Sequence, residues 1–238
     1  MLEKPADIDI PKDQPFVNDQ LHRQPCAQNL TTLIRTLKQP FVLSVNGSWG
    51  TGKTTFIKMW RQSLENDGHL CLFFNAWEND FATDPIVSFI SEMDRVFQRR
   101  PEAADRWKKA KALGAGLIRN VATEAVKKAT HGLVDPEKLV ETMRKGEKDD
   151  ALVQQATEIA TQRLAAYRAE AQAIAAFREN LGELGQQLRQ ADGAKAPVLF
   201  FVDELDRCRP DYAICLLERI NHLFNVPNIV FVLALDRE

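Results

Sequence analysis

Apolar residues along this chain fall into short solid runs separated by stretches with a helical beat. Gln39–Asn46 (QPFVLSVN) is β-branched and aromatic and ends at a glycine, as a buried strand does. Lys53–Glu65 then sets Phe56, Ile57, Trp60 and Leu64 on one helical face, and Asn66-Asp67-Gly68 stops it. Leu70–Asn75 (LCLFFN) predicts a second strand. Asp84 followed by Pro85 puts an aspartate at an N-cap and a proline at the first helical position. The helix they open carries Ile86, Phe89, Ile90, Met93 and Phe97 toward a core. From Arg100 to Gln190 alanine, lysine, arginine, glutamate and glutamine dominate, with no strand signal. Pro197–Val202 (PVLFFV), a helix over Asp211–Phe224, and Asn228–Leu235 (NIVFVLAL) restore the alternation. Strands that are apolar throughout are covered on both faces. The pattern therefore predicts an α/β fold, a three-layer αβα sandwich around a mostly parallel sheet, interrupted by an all-helical insertion between the second and third strands. The expected division is a core over 14–99 and 196–238, an insertion over 100–195 and a leader over 1–13.

Composition changes this picture little. The 238 residues are 45% hydrophobic and 27% charged, an ordinary globular balance, and the net charge of -2 exerts no global pull toward nucleic acid or an anionic membrane. Cys26, Cys71, Cys208 and Cys215 form no CxxC pair; Cys71 and Cys215 sit in apolar runs, which predicts buried reduced thiols. Met1–Lys12 is acidic and proline-bearing and no apolar targeting segment follows it. The longest bulky apolar run, Pro197–Val202, falls far short of the ~20 residues needed to span a bilayer. The expectation is a soluble cytoplasmic protein, with peripheral membrane association as the alternative.

The candidate chemistry begins at Gly47-Ser48-Trp49-Gly50-Thr51-Gly52-Lys53-Thr54, which fits the pattern Gly-x-x-x-x-Gly-Lys-Thr between a predicted strand and a predicted helix. Gly47, Gly50 and Gly52 let the backbone wrap a phosphate closely, and the N–H groups of residues 50 to 55 then form an anion nest at a helix N-terminus. Lys53 reaches the β- and γ-phosphates, the Thr54 hydroxyl ligates Mg²⁺, and Thr55 touches the α-phosphate. Such a loop needs a carboxylate on a neighbouring strand. Leu199-Phe200-Phe201-Val202-Asp203-Glu204 supplies two, Asp203 to hold the metal through water and Glu204 to polarise the attacking water. Asp236 ends the next apolar run. In ATPases of this class with an extra central strand, that strand lies between the first and third, and its last polar residue senses the γ-phosphate. Strand-end solvation or ion pairing is the plain alternative for Asp236. Arg207 and Arg209 follow the acid pair; either offsets phosphate charge, or Asp206–Arg207 is a local ion pair that shapes the loop.

Four stretches together resemble the KAP family of P-loop NTPases, which belongs with the AAA+ and STAND-type ATPases. They are the glycine loop with its Trp49, Phe74-Asn75-Ala76-Trp77, Val202-Asp203-Glu204-Leu205-Asp206-Arg207-Cys208, and Val232-Leu233-Ala234-Leu235-Asp236-Arg237. The leading segment Asp19-Gln20-Leu21-His22-Arg23 also resembles the family's, which implies Leu21 and Arg23 as further nucleotide contacts beside the adenine. The resemblance implies ATP as ligand, Mg²⁺ as cofactor, and hydrolysis coupled to conformational change or assembly, in relatives often found in bacterial defence. Adenine over guanine rests on it too, with no guanine-reading Asn-Lys-x-Asp sequence in the chain. Family members often carry transmembrane helices in the insertion, and this chain has none there. The sequence stops at Glu238, so the C-terminal part of the core and the lid are expected to be absent, which sets a nucleotide-dependent switch or scaffold with little turnover beside the ATPase. A small P-loop kinase is disfavoured by Glu204.

The insertion raises partner questions. Between Arg99 and Lys128 stand nine basic residues against three acidic ones, a pattern for an anionic membrane surface or nucleic acid, though a solvated helix face is favoured and Trp107 stands alone. From Ala151 to Gln190, Ala160, Leu164, Tyr167, Ala171, Ile174, Phe177, Leu181, Leu184 and Leu188 alternate as in a coiled-coil seam or a helical hairpin, with Gly182 and Gly185 weakening the end. The seam reading makes 100–195 an arm for a protein partner or for self-association.

Overall fold

A computed structural model describes residues 8–37, 39–98, 104–114, 150–191 and 197–236. Strands β1 (Phe41–Asn46), β2 (Cys71–Asn75), β3 (Val198–Asp203) and β4 (Ile229–Leu235) form one sheet in the order β1-β4-β3-β2. Every pairing is parallel. Strand β4 thus lies between the first and third, as expected. All six residues of β3 are buried, and so are the first six of β4.

Helices α1 (Gln24–Thr36), α2 (Lys53–Asn66) and α3 (Pro85–Phe97) precede a helical stretch over 104–114, α4; α5 (Asp150–Ala191) and α6 (Pro210–Leu223) follow. Alternation along the strands decides which layer each covers. Leu199, Phe201, Val230 and Val232 pack with Ala27 and Ile34 of α1 and with Phe56, Ile57, Trp60 and Leu64 of α2. The Trp60 indole also donates to Thr31 Oγ1 at 2.9 Å, so its one polar atom is satisfied. On the opposite face Phe200 and Phe231 stack at 4.9 Å between ring centres, and Phe89 of α3 meets Phe74, Phe200, Phe224 and Phe231. Two helical layers around a parallel sheet are the predicted architecture. Asp84 caps α3 as expected, its carboxylate accepting from Ile86 N at 3.0 Å, and Arg219 of α6 donates to the same carboxylate at 3.0 Å.

The chain divides into two compact units, residues 1–111 with 178–238, and residues 112–177. The sheet's unit thus takes in both ends of the inserted block. In α4, Trp107 is buried, donates to Asp94 Oδ1 at 2.8 Å and packs against Phe97, so it belongs to the core of this unit. Arg106 pairs with Glu183 and Lys111 with Asp94, which leaves less of the basic stretch as a bare cationic face. Arg99, Arg100, Arg119, Lys127 and Lys128 lie outside the described residues.

Ala151–Gln190 contains no hairpin turn: α5 runs unbroken through it for 42 residues. Gly182 and Gly185 do not end that helix. Gly185 instead lets it approach the turn before β4, where an added Cβ would stand 3.4 Å from Asn228 Cβ. Leu181 and Leu184 pack nearby against Met93, Phe97 and the first residues of β3 and β4. In the second unit, Leu164 and Tyr167 are exposed along α5, while the side chains of Ala160 and Leu188 lie outside the description. Cys71 is buried, and burial pushes its thiol well up; Cys215 is only half-buried, less than its apolar run suggested. Among the described residues no helix is long and apolar enough to cross a membrane.

Candidate functional site

The site lies where β1, β3 and β4 end. Strand β1, expected to be buried, is an edge strand in which no residue is fully buried, because β4 pairs with it on one side alone. Between β1 and α2 the chain has to leave this strand and enter a helix within residues 47–52, and glycines make that possible. Gly50 and Gly52 adopt φ of 82° and 78°, the left-handed region that an L side chain resists. Gly47 is required for a different reason, because a Cβ there would stand 2.9 Å from Thr51 Oγ1 and 3.7 Å from Lys53 Cγ. Thr51 Oγ1 in turn donates to Ser48 O at 2.8 Å, closing the loop on itself. No side chain caps α2 and no acid stands in its first turn, so its N-terminal amides and dipole are left for an outside anion.

Lys53 folds back into this loop. Its ammonium donates to the carbonyls of Gly47 and Ser48, the latter at 3.3 Å, and stands 4.0 Å from Asp206 Oδ2. Arg23 buttresses the loop from outside: it donates to Thr51 O at 3.3 Å, lies over the Phe56 ring and borders Gly52. Leu21 is exposed. Ser48, Trp49, Thr54 and Thr55 complete the loop, with Trp49 largely exposed at its tip.

Asp203 ends β3 opposite Asn75 of β2 and is 2% exposed. Its Oδ1 accepts from Glu204 N at 3.0 Å, while Oδ2 is buried with no partner. An orphaned buried carboxylate oxygen is costly. Burial is the largest influence on Asp203 and raises its carboxyl above the ordinary aspartate value, against hydrogen bonds from Thr54 and the Glu204 N–H. Beside the Thr54 hydroxyl, this is a donor set that fits a hard divalent cation such as Mg²⁺.

The raised value carries a stability consequence. The cost of ionising Asp203 is absent below its unfolded value near 3.8, grows as pH rises and is complete above the folded value. With EDTA and no nucleotide, Asp203→Asn is therefore expected to melt above the wild type at about pH 7, the gap closing as pH falls toward about 4. Thermal melts across that range check it, and a less stable variant at neutral pH contradicts the account.

Glu204 follows with φ of 58°, strained for a side chain of its kind. Asn75 Nδ2 donates to its Oε2 at 3.0 Å and Arg207 to its Oε1 at 2.7 Å. The Arg207 guanidinium lies 6.0 Å from the Trp49 ring centre and 5.4 Å from that of Trp77, within cation–π range of both. The local Asp206–Arg207 pair suggested by the sequence is not formed. A 3-10 turn at Leu205–Arg207 sends Asp206 toward Lys53 and Arg207 back to Glu204. Arg209 is drawn elsewhere, to Asp80, whose carboxyl its hydrogen bonds hold below the ordinary value. Asp236 directly follows Leu235, whose carbonyl accepts from Gly47 N at 3.3 Å, so the end of β4 borders the start of the loop.

Residues of four separate segments thus meet at one sheet edge, where a glycine loop is faced by a strand-end carboxylate. Residues 23–238 match the KAP family P-loop domain. The chain belongs to that family. No curated protein matches it. The four-stranded, all-parallel sheet with its helices is consistent with a P-loop domain of that family. Two neighbours, Asn75 and Asp206, stand in stretches that carry the family resemblance, but their contacts with Glu204 and Lys53 have no signal in the sequence. Asn75 is an ordinary strand-end residue until β2 pairs with β3, and Asp206 is one acid among three until the turn aims it.

Proposed function

We propose that this KAP domain binds ATP with Mg²⁺ and hydrolyses it, coupling turnover to a change of shape or assembly. The observation that supports this most is Asp203 Oδ2, buried and unpartnered beside Thr54 and the open glycine loop. Thr54 and Asp203 are the residues to hold Mg²⁺, which supplies charge neutralisation on the phosphates when bound. Gly47, Ser48, Trp49, Gly50, Thr51, Gly52 and Thr55 shape the cradle, and its amides with Lys53 hold and orient the β- and γ-phosphates. Glu204 is the carboxylate that polarises the attacking water, and Asp236 is the strand-end sensor of the terminal phosphate.

One observation favours the second reading, a switch that binds nucleotide and turns over slowly. Both Glu204 oxygens already accept hydrogen bonds, from Asn75 and from Arg207. Phosphate release by the wild type and by Glu204→Gln, alongside ATP affinity for each, separates the two. The enzyme reading expects release to fall on the order of a hundredfold or more in the variant with affinity retained. Unchanged release in the variant removes Glu204 from the chemistry, and tight binding without release in the wild type establishes the switch. A role for residues 100–195 in engaging a protein partner or a second copy is part of the same proposal; size determination with and without ATP tests it.

A further inference from the structure

Three acidic side chains follow one another at the end of β3, and they face three different ways. Asp203 is turned to Thr54, and Glu204 is held by Asn75 and Arg207. Asp206 is the one that faces the lysine of the loop, 4.0 Å from Lys53 Nζ. The two side chains are 12% and 18% exposed, so water and salt weaken their attraction far less than on an open surface. The Lys53 ammonium otherwise rests on the Gly47 and Ser48 carbonyls, inside the loop that is shaped for phosphate.

A lysine placed to grip phosphate thus already has an acid of opposite charge 4.0 Å away. An incoming phosphate must take the ammonium from the Gly47 and Ser48 carbonyls and from Asp206, and afterwards it sits near a carboxylate of its own sign. Both effects act against binding, and neither needs a metal or a chemical step. We propose that Asp206 is the resident counter-ion of Lys53, an internal competitor that nucleotide phosphates displace, and that it lowers nucleotide affinity and shortens residence. This rests on reading the loop as a nucleotide site. It gives Asp206 a task separate from those of Asp203 and Glu204.

The sign of the effect is the test, because most changes inside a binding site weaken binding. ADP and ATP are titrated calorimetrically into wild type, Asp206→Asn, Asp206→Ser, Lys53→Ala and the Asp206→Asn/Lys53→Ala double variant, with Mg²⁺ and with EDTA. Asp206→Asn and Asp206→Ser are expected to bind both nucleotides on the order of tenfold more tightly, chiefly through slower dissociation, with or without metal. In the Lys53→Ala background most of that gain is expected to vanish, since the competed group is gone. Equal or weaker binding in both Asp206 variants overturns the proposal, and weakening confined to the Mg²⁺ titrations assigns Asp206 to the metal instead. A gain that survives undiminished without Lys53 overturns it as well, reducing Asp206 to general repulsion. If the wild type shows no Lys53-dependent binding, the nucleotide reading itself fails and takes this one with it.

Discussion

Lys53→Ala is expected to remove nearly all nucleotide affinity while leaving the fold intact. Lys53 opens α2, and its side chain is 12% exposed within the loop. Truncating one partner of a shielded charge pair costs about 2–5 kcal/mol, which converts to a loss of roughly thirtyfold to several thousandfold in affinity. Alanine is the best helix former, so the first turn of α2 keeps its conformation. The hydrogen bonds lost in the empty protein are those to the Gly47 and Ser48 carbonyls, which water replaces at a site open to nucleotide. Calorimetric titration of ATP, with circular dichroism as the control for folding, measures both halves. A variant that is folded and binds ATP as the wild type does contradicts the assignment of the loop.

Phe89→Ala should be the most damaging single change to the fold. Phe89 is 2% exposed, and its ring centre lies 4.5 Å from that of Phe74, 5.3 Å from Phe224, 5.9 Å from Phe200 and 6.0 Å from Phe231. It is therefore the ring through which α3 meets β2, β3, β4 and the end of α6. Removing a buried phenylalanine ring costs about 3–5 kcal/mol, the transfer of its atoms plus the cavity that four other rigid rings cannot collapse to fill. Phe89→Leu, which fills most of that volume, should cost well under half as much. Urea unfolding of the two variants against wild type checks the ranking. A loss below about 1 kcal/mol for Phe89→Ala would mean that α3 packs in some other way.

The local signals were the dependable ones. Asp84-Pro85 announced the start of α3, and the cap is formed by the Asp84 carboxylate on Ile86 N. The glycine loop announced both its strand and its helix, because only a backbone able to reach φ of 82° and 78° joins them so tightly. The unbroken apolar runs of β3 and β4 required two covering layers. The insertion read less well. Glycines at 182 and 185 argue for weakness in a helix considered alone, yet packing of Leu181, Leu184 and Gly185 on the core supports the helix there. Trp107 looked solitary in sequence, and its burial follows from Phe97 and Asp94, residues ten and more positions away.

What this chain's sequence determined by itself is what depends on spacing along the backbone: the strands and helices of the core, their order, the glycine loop between β1 and α2 and the carboxylate at a strand end. What only the tertiary structure decided is which way each acid faces. Asp203, Glu204 and Asp206 are near neighbours in sequence, and the strand-end pattern that sets expected roles for the first two does not say which group each carboxylate will meet. Asn75 arrives beside Glu204 because β2 pairs with β3, and Lys53 arrives beside Asp206 because β4 brings β1 and β3 together at the same edge. Contacts made across a sheet join residues more than a hundred positions apart, and the hydrophobic pattern that builds the sheet carries no record of which polar ends will meet.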